Sequence, residues 1–189
     1  MNSKTDNFSF KLSSAEQQAL KDAALSSITG QLKGTAQPSA ATLEKEHKKL
    51  QQLGGGFVTL TIDNNLRGCI GEIFPSRSIA QVVIARAVDA AFGDYRFPNL
   101  TLDELNQIEI EISLLSPPWE ISNYQEIEVG VHGIVLTKDS CSAVFLPQVA
   151  PEQGWDLATT LSQLALKAGL SADSWREGAS FSVFTADVF

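Results

Sequence analysis

The hexapeptide LRGCIG at residues 66–71 constrains the fold of this 189-residue chain more than any other segment. It places two glycines, Gly68 and Gly71, within four residues, between runs that are typical of β-strands. Glycine in a strand interior weakens the strand and often marks a bulge or the close approach of a ligand or another segment. We therefore predict that a ligand or another segment of the chain comes close to this strand. Gly68 and Gly71 are candidate ligand-binding residues, because their N–H groups could face an anion.

The hexapeptide also sets Arg67 two residues before Cys69. A neighbouring cation favours the thiolate, which is the reactive form of cysteine. Cys69 is therefore a candidate nucleophile; the alternative is a buried structural cysteine, because free cysteine is among the most buried residue types. A nucleophile usually needs a base, and His132 is the better candidate because His47 lies in a charged, solvent-facing segment. The competing interpretation of His132, which we favour, is a side chain that bonds a carbonyl to hold a tight turn.

Arg67, Asp94 and Arg96 form a second group of candidate binding residues. Arginine recognises carboxylate or phosphate groups through two parallel hydrogen bonds, and it is always charged. Two arginines could therefore hold an anionic small molecule beside Asp94. The alternative is an ion pair between Asp94 and either arginine, which would fix a loop without binding a ligand.

The hexapeptide and several later segments resemble the AMMECR family, whose bacterial and archaeal members are called AmmeMemoRadiSam system protein A. The matches follow the family's order and cover roughly residues 10 to 189. They are GFVTL at 56–60, AAFGDYRFP at 90–98, EISLL at 111–115, GVHGI at 130–134, FLPQV at 145–149 and KAGL at 167–170. One departure is Tyr95, where the family usually has proline, and its loop is expected to be less rigid because proline fixes the φ angle.

The resemblance implies a single AMMECR-type domain over residues 1–189, with an α+β fold and two lobes around a cleft. We place the small lobe at about residues 35–60 with parts of the N-terminal region, and the main lobe in the remainder. The gene neighbours of similar proteins imply a Memo-type protein and a radical SAM protein as partners.

Local patterns predict helices mixed with hairpins, which indicates an α+β fold with a mixed, largely antiparallel sheet and packed helices. The predicted helices begin at a serine cap near residue 13, near residue 43, after Ser78, at Thr101 with Glu104, and after Asp156. The predicted strands are 57–62, 66–73, 108–115, 133–138, 143–146 and a closing strand near 181–189.

The composition and charge of the chain argue against several classes of binding partner. A net charge of −8 and a pI of about 4.7 disfavour binding to nucleic-acid backbones. The polar start Met1–Asp6 and the short apolar runs predict neither a secretory signal nor a membrane span, so we expect a cytoplasmic protein. Two cysteines are too few for a disulfide framework. No phosphate-loop or dinucleotide fingerprint is present, so we expect no cofactor.

We also expect no metal site, because the cysteines and histidines lack the close spacing of zinc ligands. Glu109 and Glu111 share one strand face by the period of two, and we interpret them as its solvent face. Two functions remain open for the chain. One is a small enzyme that acts on an anionic metabolite or a protein modification in a cleft containing Cys69 and Arg67. The other is a non-catalytic module that binds a ligand or a partner protein.

Overall fold

The computed structural model describes residues 9–189, and the polar start Met1–Asp6, on which the absence of a secretory signal was predicted, lies outside them. In chain order, its helices and strands are α1 (Ser14–Lys33), α2 (Ala40–Glu46), β1 (Gly55–Ile62), β2 (Asn65–Glu72), α3 (Ile79–Phe92), β3 (Glu109–Leu115), β4 (Trp119–Ile121), β5 (Gly133–Lys138), β6 (Cys141–Phe145), α4 (Val149–Gln153), α5 (Leu157–Lys167), β7 (Ser180–Phe184) and β8 (Ala186–Val188). The strands form two four-stranded sheets, which confirms the predicted α+β class.

The helix ends follow the capping signals of the sequence. Ser13 and Glu16 form a capping box that begins α1, and Gly34 ends this helix in the left-handed region at φ 64°. Ser78 begins α3 with a second capping box. Asp156 caps α5 through its side chain. These helix starts were therefore set by local sequence.

The first sheet has the strand order β2-β1-β3-β8. The predicted hairpin of β1 and β2 is confirmed, and Asp63 and Asn64 at its turn have the positive φ angles that favour a tight hairpin. Helices α1 and α3 contribute to the core of this unit, to which Leu20, Leu60 and Ile112 belong. The edge strand β2 is thus backed by helices on one face.

The second sheet has the strand order β4-β7-β5-β6 and is antiparallel throughout its recorded pairs. Helix α5 and the loop before β7 contribute its core, with Leu161, Leu164 and Trp175 buried. None of the helices within residues 9–189 is both long and apolar enough to cross a membrane.

The described chain divides into two compact units. One contains residues 9–117 and 187–189, and the other contains residues 118–186. The boundary lies at Pro117-Pro118, where the sequence ends the strand β3. The small lobe placed at about 35–60 with parts of the N-terminal region stays a prediction. Among the described residues, β1 pairs with both β2 and β3 inside the first unit.

Two predicted helices take another form. The helix expected over 43–53 is instead α2 followed by a 3-10 turn at Lys48–Gln51. The helix expected at Thr101 is absent, and residues 102–107 form turns. Glu104 does accept hydrogen bonds from the N–H and hydroxyl groups of Thr101. The capping interaction therefore forms without the helix.

Candidate functional site

The backbone of Cys69 is held from the open edge of the first sheet. Strand β2 lies at that edge, so one row of its backbone groups has no neighbouring strand. The Cys69 N–H donates to Asp94 Oδ2 at 2.9 Å, and the Cys69 carbonyl accepts from Arg96 Nη2 at 3.5 Å. A carboxylate and a guanidinium thus take the places that a further strand would occupy.

Asp94 and Arg96 form a two-pronged ion pair in the loop after α3. Arg96 Nε lies 2.9 Å from Oδ1 and Nη2 lies 2.7 Å from Oδ2. The Asp94 side chain is 2% exposed, whereas the Arg96 side chain is 46% exposed. The bonds from Arg96 and from the Cys69 N–H outweigh burial and hold the pKa of Asp94 far below its usual range, while Asp94 raises the pKa of Arg96. The pair is therefore charged at physiological pH, with its cation on the solvent side.

The thiol of Cys69 is partly exposed and lies 3.2 Å from the Thr59 hydroxyl. Thr59 is the direct cross-strand partner of Cys69, and Glu111 is the partner of Thr59 on the next strand. Directly opposite residues point to the same face of a sheet. One face of this sheet therefore presents a row of thiol, hydroxyl and carboxylate across β2, β1 and β3.

The two glycines of the hexapeptide are explained by close packing. A Cβ atom at Gly68 would overlap the carbonyl oxygen of Ala90 in α3, and one at Gly71 would overlap the ring of Phe57. Neither glycine has a positive φ angle. The predicted close approach is thus present, and the approaching groups are another helix and a neighbouring strand. Their assignment as anion-binding residues stays a prediction.

Arg67 lies in a β-bulge, because β1 pairs Leu60 with Gly68 but Thr61 with Leu66. Its side chain is 11% exposed and forms a two-pronged ion pair with Glu104, at 2.7 and 3.1 Å. A further hydrogen bond goes from Nη2 to the Asn99 carbonyl. The Arg67 bonds outweigh burial and lower the pKa of Glu104 to about 2.

Arg67 and Arg96 therefore occupy different situations. Arg67 is buried and paired with Glu104, and its Nη1 is enclosed without a hydrogen-bond partner among residues 9–189. Arg96 is exposed beside the Cys69 backbone. The exposed cation next to the thiol strand is thus Arg96.

His132 lies in the second unit, outside the unit that carries Cys69. Its Nδ1 accepts a hydrogen bond from the Glu128 N–H at 3.0 Å, and its ring makes an edge contact with Trp119. Burial lowers its pKa, partly opposed by the charge of Glu128. This geometry accounts for His132 as a turn-holding residue, although it accepts from an N–H where a bond to a carbonyl was predicted.

Two residues of this region, Thr59 and Glu104, were not predicted from the sequence to belong to it. Thr59 had no signal, because a threonine in a strand is ordinary. Glu104 was recognised only as a helix-capping residue, and its pairing with Arg67, 37 positions earlier, has no local signature. Within the part of the chain that the structure describes, no three His, Cys, Asp or Glu side chains are grouped so that they could hold a metal ion.

Comparisons with known proteins agree with the resemblance of the motifs. A model of the AMMECR1 family matches residues 22–189. Protein Mbar_A1807 of Methanosarcina barkeri is 42% identical over 140 residues, which cover 71% of this chain and 69% of that protein. Protein PF1979 of Pyrococcus furiosus is 40% identical over 146 residues, which cover 71% and 70%.

A solved structure extends the similarity to the fold. The crystal structure of the uncharacterized protein PH0010 from Pyrococcus horikoshii matches with a TM-score of 0.84 at 32% sequence identity. The match covers 94% of this chain and 92% of that one. Because the family model and these relatives span most of its length, the chain belongs to the AMMECR1 family.

Proposed function

We propose that this protein is a small enzyme in which Cys69 is the nucleophile and Arg96 holds an anionic group of the substrate. The observation that carries the proposal is the clamp on the Cys69 backbone, formed by Asp94 and the exposed Arg96. The clamp fixes the thiol on the sheet face, because the backbone is held at both its N–H and its carbonyl. Holding a reacting group in a fixed geometry lowers the entropic part of the reaction barrier.

The charge of the region supports an anionic substrate. The chain carries a net charge of −8, so an anion needs a local cation to bind to it. Arg96 donates from Nε and Nη2 to Asp94, and none of its hydrogen bonds within residues 9–189 uses Nη1. In this proposal Arg67 supports the site indirectly, because its pair with Glu104 fixes the bulge beside Gly68.

The enzyme hypothesis is tested by alkylation of the folded protein with two reagents of opposite character. Neutral iodoacetamide reports access to each thiol, and anionic iodoacetate reports the local cation. We expect Cys69 to react faster than Cys141 with both reagents, and to prefer iodoacetate more than Cys141 does. Mass spectrometry of the two cysteine peptides gives both rates in one sample.

Arg96→Gln should lower the iodoacetate-to-iodoacetamide rate ratio at Cys69 about two- to fivefold, as expected for up to ~1 kcal/mol between exposed charges. Arg176→Gln is the matched control, because Arg176 also pairs with an aspartate and is 56% exposed. If Cys69 reacts only after unfolding, it is not a nucleophile in the native protein.

The alternative is a non-catalytic module that binds a ligand or works with Memo-type and radical SAM proteins. It is favoured by the lack of any histidine hydrogen-bonded to the Cys69 thiol among residues 9–189, where the thiol is instead paired with Thr59. A Cys69→Ala variant separates the two functions. It should abolish turnover by an enzyme and leave partner binding by a module unchanged. Both proposals place the protein in the cytoplasm, where thiols stay reduced.

A further inference from the structure

A groove in the first unit shares Thr59 and Glu111 with the sheet face described above. It encloses about 860 Å³ and is formed by α1, the outer parts of β1 and β3, the loop before β3 and the C-terminal residue. This volume lies in the range of small-molecule sites. Its apolar lining includes Leu25, Ile108 and Phe189, and this surface can contact a hydrocarbon chain.

The charged side chains that line this groove are predominantly acidic. Asp22, Glu109 and Glu111 contribute carboxylates, and Lys21 contributes a single ammonium group. Glu109 and Glu111 are exposed on β3, and their side chains make no hydrogen bond or ion pair within the described range 9–189. A solvent-facing strand would explain two exposed carboxylates, but it would not explain their position above a concave apolar surface.

The groove is connected to the thiol through Thr59. This residue lines the groove, and its hydroxyl lies 3.2 Å from the Cys69 sulfur. Neighbouring strands are about 4.8 Å apart, so a ligand that covers Thr59 would also screen the adjacent thiol. A molecule in the groove would therefore lie with one end beside Cys69.

We infer that this groove binds an aliphatic chain that carries a protonated amine, with the chain on the apolar lining and the amine at Glu109 and Glu111. An organic cation fits better than a metal ion, because no three His, Cys, Asp or Glu side chains among residues 9–189 are grouped to hold a metal, whereas the apolar lining can contact a hydrocarbon chain. The groove assignment stands on its own lining. Its identification as the site for the basic part of the substrate rests on the proposed function of Cys69 and Arg96.

The groove is tested by titrating the isotope-labelled full-length protein with hexylamine, hexanol and hexanoate and following backbone amide signals. We expect hexylamine to shift the signals of Thr59, Thr61 and Glu111 saturably, with hexanol weaker and hexanoate weakest. The double variant Glu109→Gln/Glu111→Gln should weaken hexylamine binding about fivefold or more, since each exposed charge pair contributes a few-fold. Glu46→Gln, which removes an exposed carboxylate elsewhere in the same unit, should leave binding unchanged.

Equal binding of hexanol and hexylamine, or an undiminished affinity in the double variant, would overturn the assignment of a basic ligand. The link to Cys69 has its own readout. Saturating hexylamine should slow iodoacetamide labelling of Cys69 and leave Cys141 unaffected. Groove binding without this protection would overturn the link to the thiol while the proposed function stands. An inert Cys69 would remove the proposed function, and the amide titration would still decide the groove.

Discussion

In both units a side chain binds backbone groups at the edge of the sheet, but the side chains differ in type. Each has a hairpin whose second strand, β2 or β6, lies at the edge and carries one of the two cysteines. In the first unit Asp94 and Arg96 cover the edge at Cys69, engaging both its N–H and its carbonyl. In the second unit Lys167 reaches the edge strand β6 and donates to the Val144 carbonyl at 2.9 Å.

The difference shows why only the first edge is a candidate site. Lys167 also lies over the Phe145 ring, and burial lowers its pKa. Its ammonium group therefore already has partners on the strand that it covers. Arg96 carries its charge on the exposed side of a buried carboxylate, which leaves it able to meet a ligand. The ammonium group of Lys167 covers a backbone group of the edge strand. The ion pair of Asp94 and Arg96 covers such groups as well, and it also leaves a cation exposed to solvent.

The largest expected effect breaks the packing that brings the Asp94 loop to β2. Gly68→Ala would place a Cβ on the Ala90 carbonyl oxygen, so helix α3 or β2 must shift. We expect a loss of about 3 kcal/mol in the free energy of unfolding, the upper range for overpacking. Gly34→Ala is the control, because its Cβ meets no atom and only the left-handed φ angle opposes it, at about 1 kcal/mol. Equal urea midpoints for the two variants would contradict this account.

The next largest effect compares the side chains that bind the two sheet edges, Asp94 and Lys167. Asp94→Asn should destabilise the protein by about 2–3 kcal/mol, because it removes a buried charge that satisfies Arg96 and the Cys69 N–H. Lys167→Met should lower stability by less than about 1 kcal/mol, because one hydrogen bond is lost at an exposed position. Urea unfolding of both variants measures the difference, and a larger loss in Lys167→Met would reverse the comparison.

The smallest expected effect is in the pH dependence of stability, which differs between the two units. The pKa of His132 is lowered in the folded state, so its contribution to stability is full above about 6.5 and falls as the pH drops below that value. The pKa of Glu104 is lowered to about 2 and that of Asp94 is lowered further, so their contributions are lost only as the pH falls below about 4. Urea midpoints from pH 7.5 to 3 should show both phases.

Variants assign the two pH phases. His132→Gln should flatten the change between pH 7.5 and 5.5 and leave the acid phase in place. Glu104→Gln should reduce the acid phase, in which Asp94 still takes part, and leave the upper phase in place, because Arg67 no longer meets a titrating partner. An unchanged upper phase in His132→Gln would show that another group titrates there.

Much of the fold was predictable because its signals are local. The capping pair Ser13 and Glu16 begins α1, and the turn Asp63-Asn64 fixes the first hairpin. Each signal acts within a few residues, so it needs no knowledge of the rest of the chain. At Thr101 the same kind of local signal was not sufficient, since the capping pair forms but residues 102–107 form turns.

The sequence by itself determined the α+β class, the family and the closely approached strand at Gly68. Only the tertiary structure decided which arginine is buried, because the partners of Arg67 and Cys69 lie 37 and 25 positions away. It also decided that His132 belongs to the other unit and that Thr59 meets the Cys69 thiol. Residue type limits what a side chain can bind, but its partner depends on which distant segments the folded backbone brings within hydrogen-bond distance, and a pairing between distant segments leaves no periodicity in the chain.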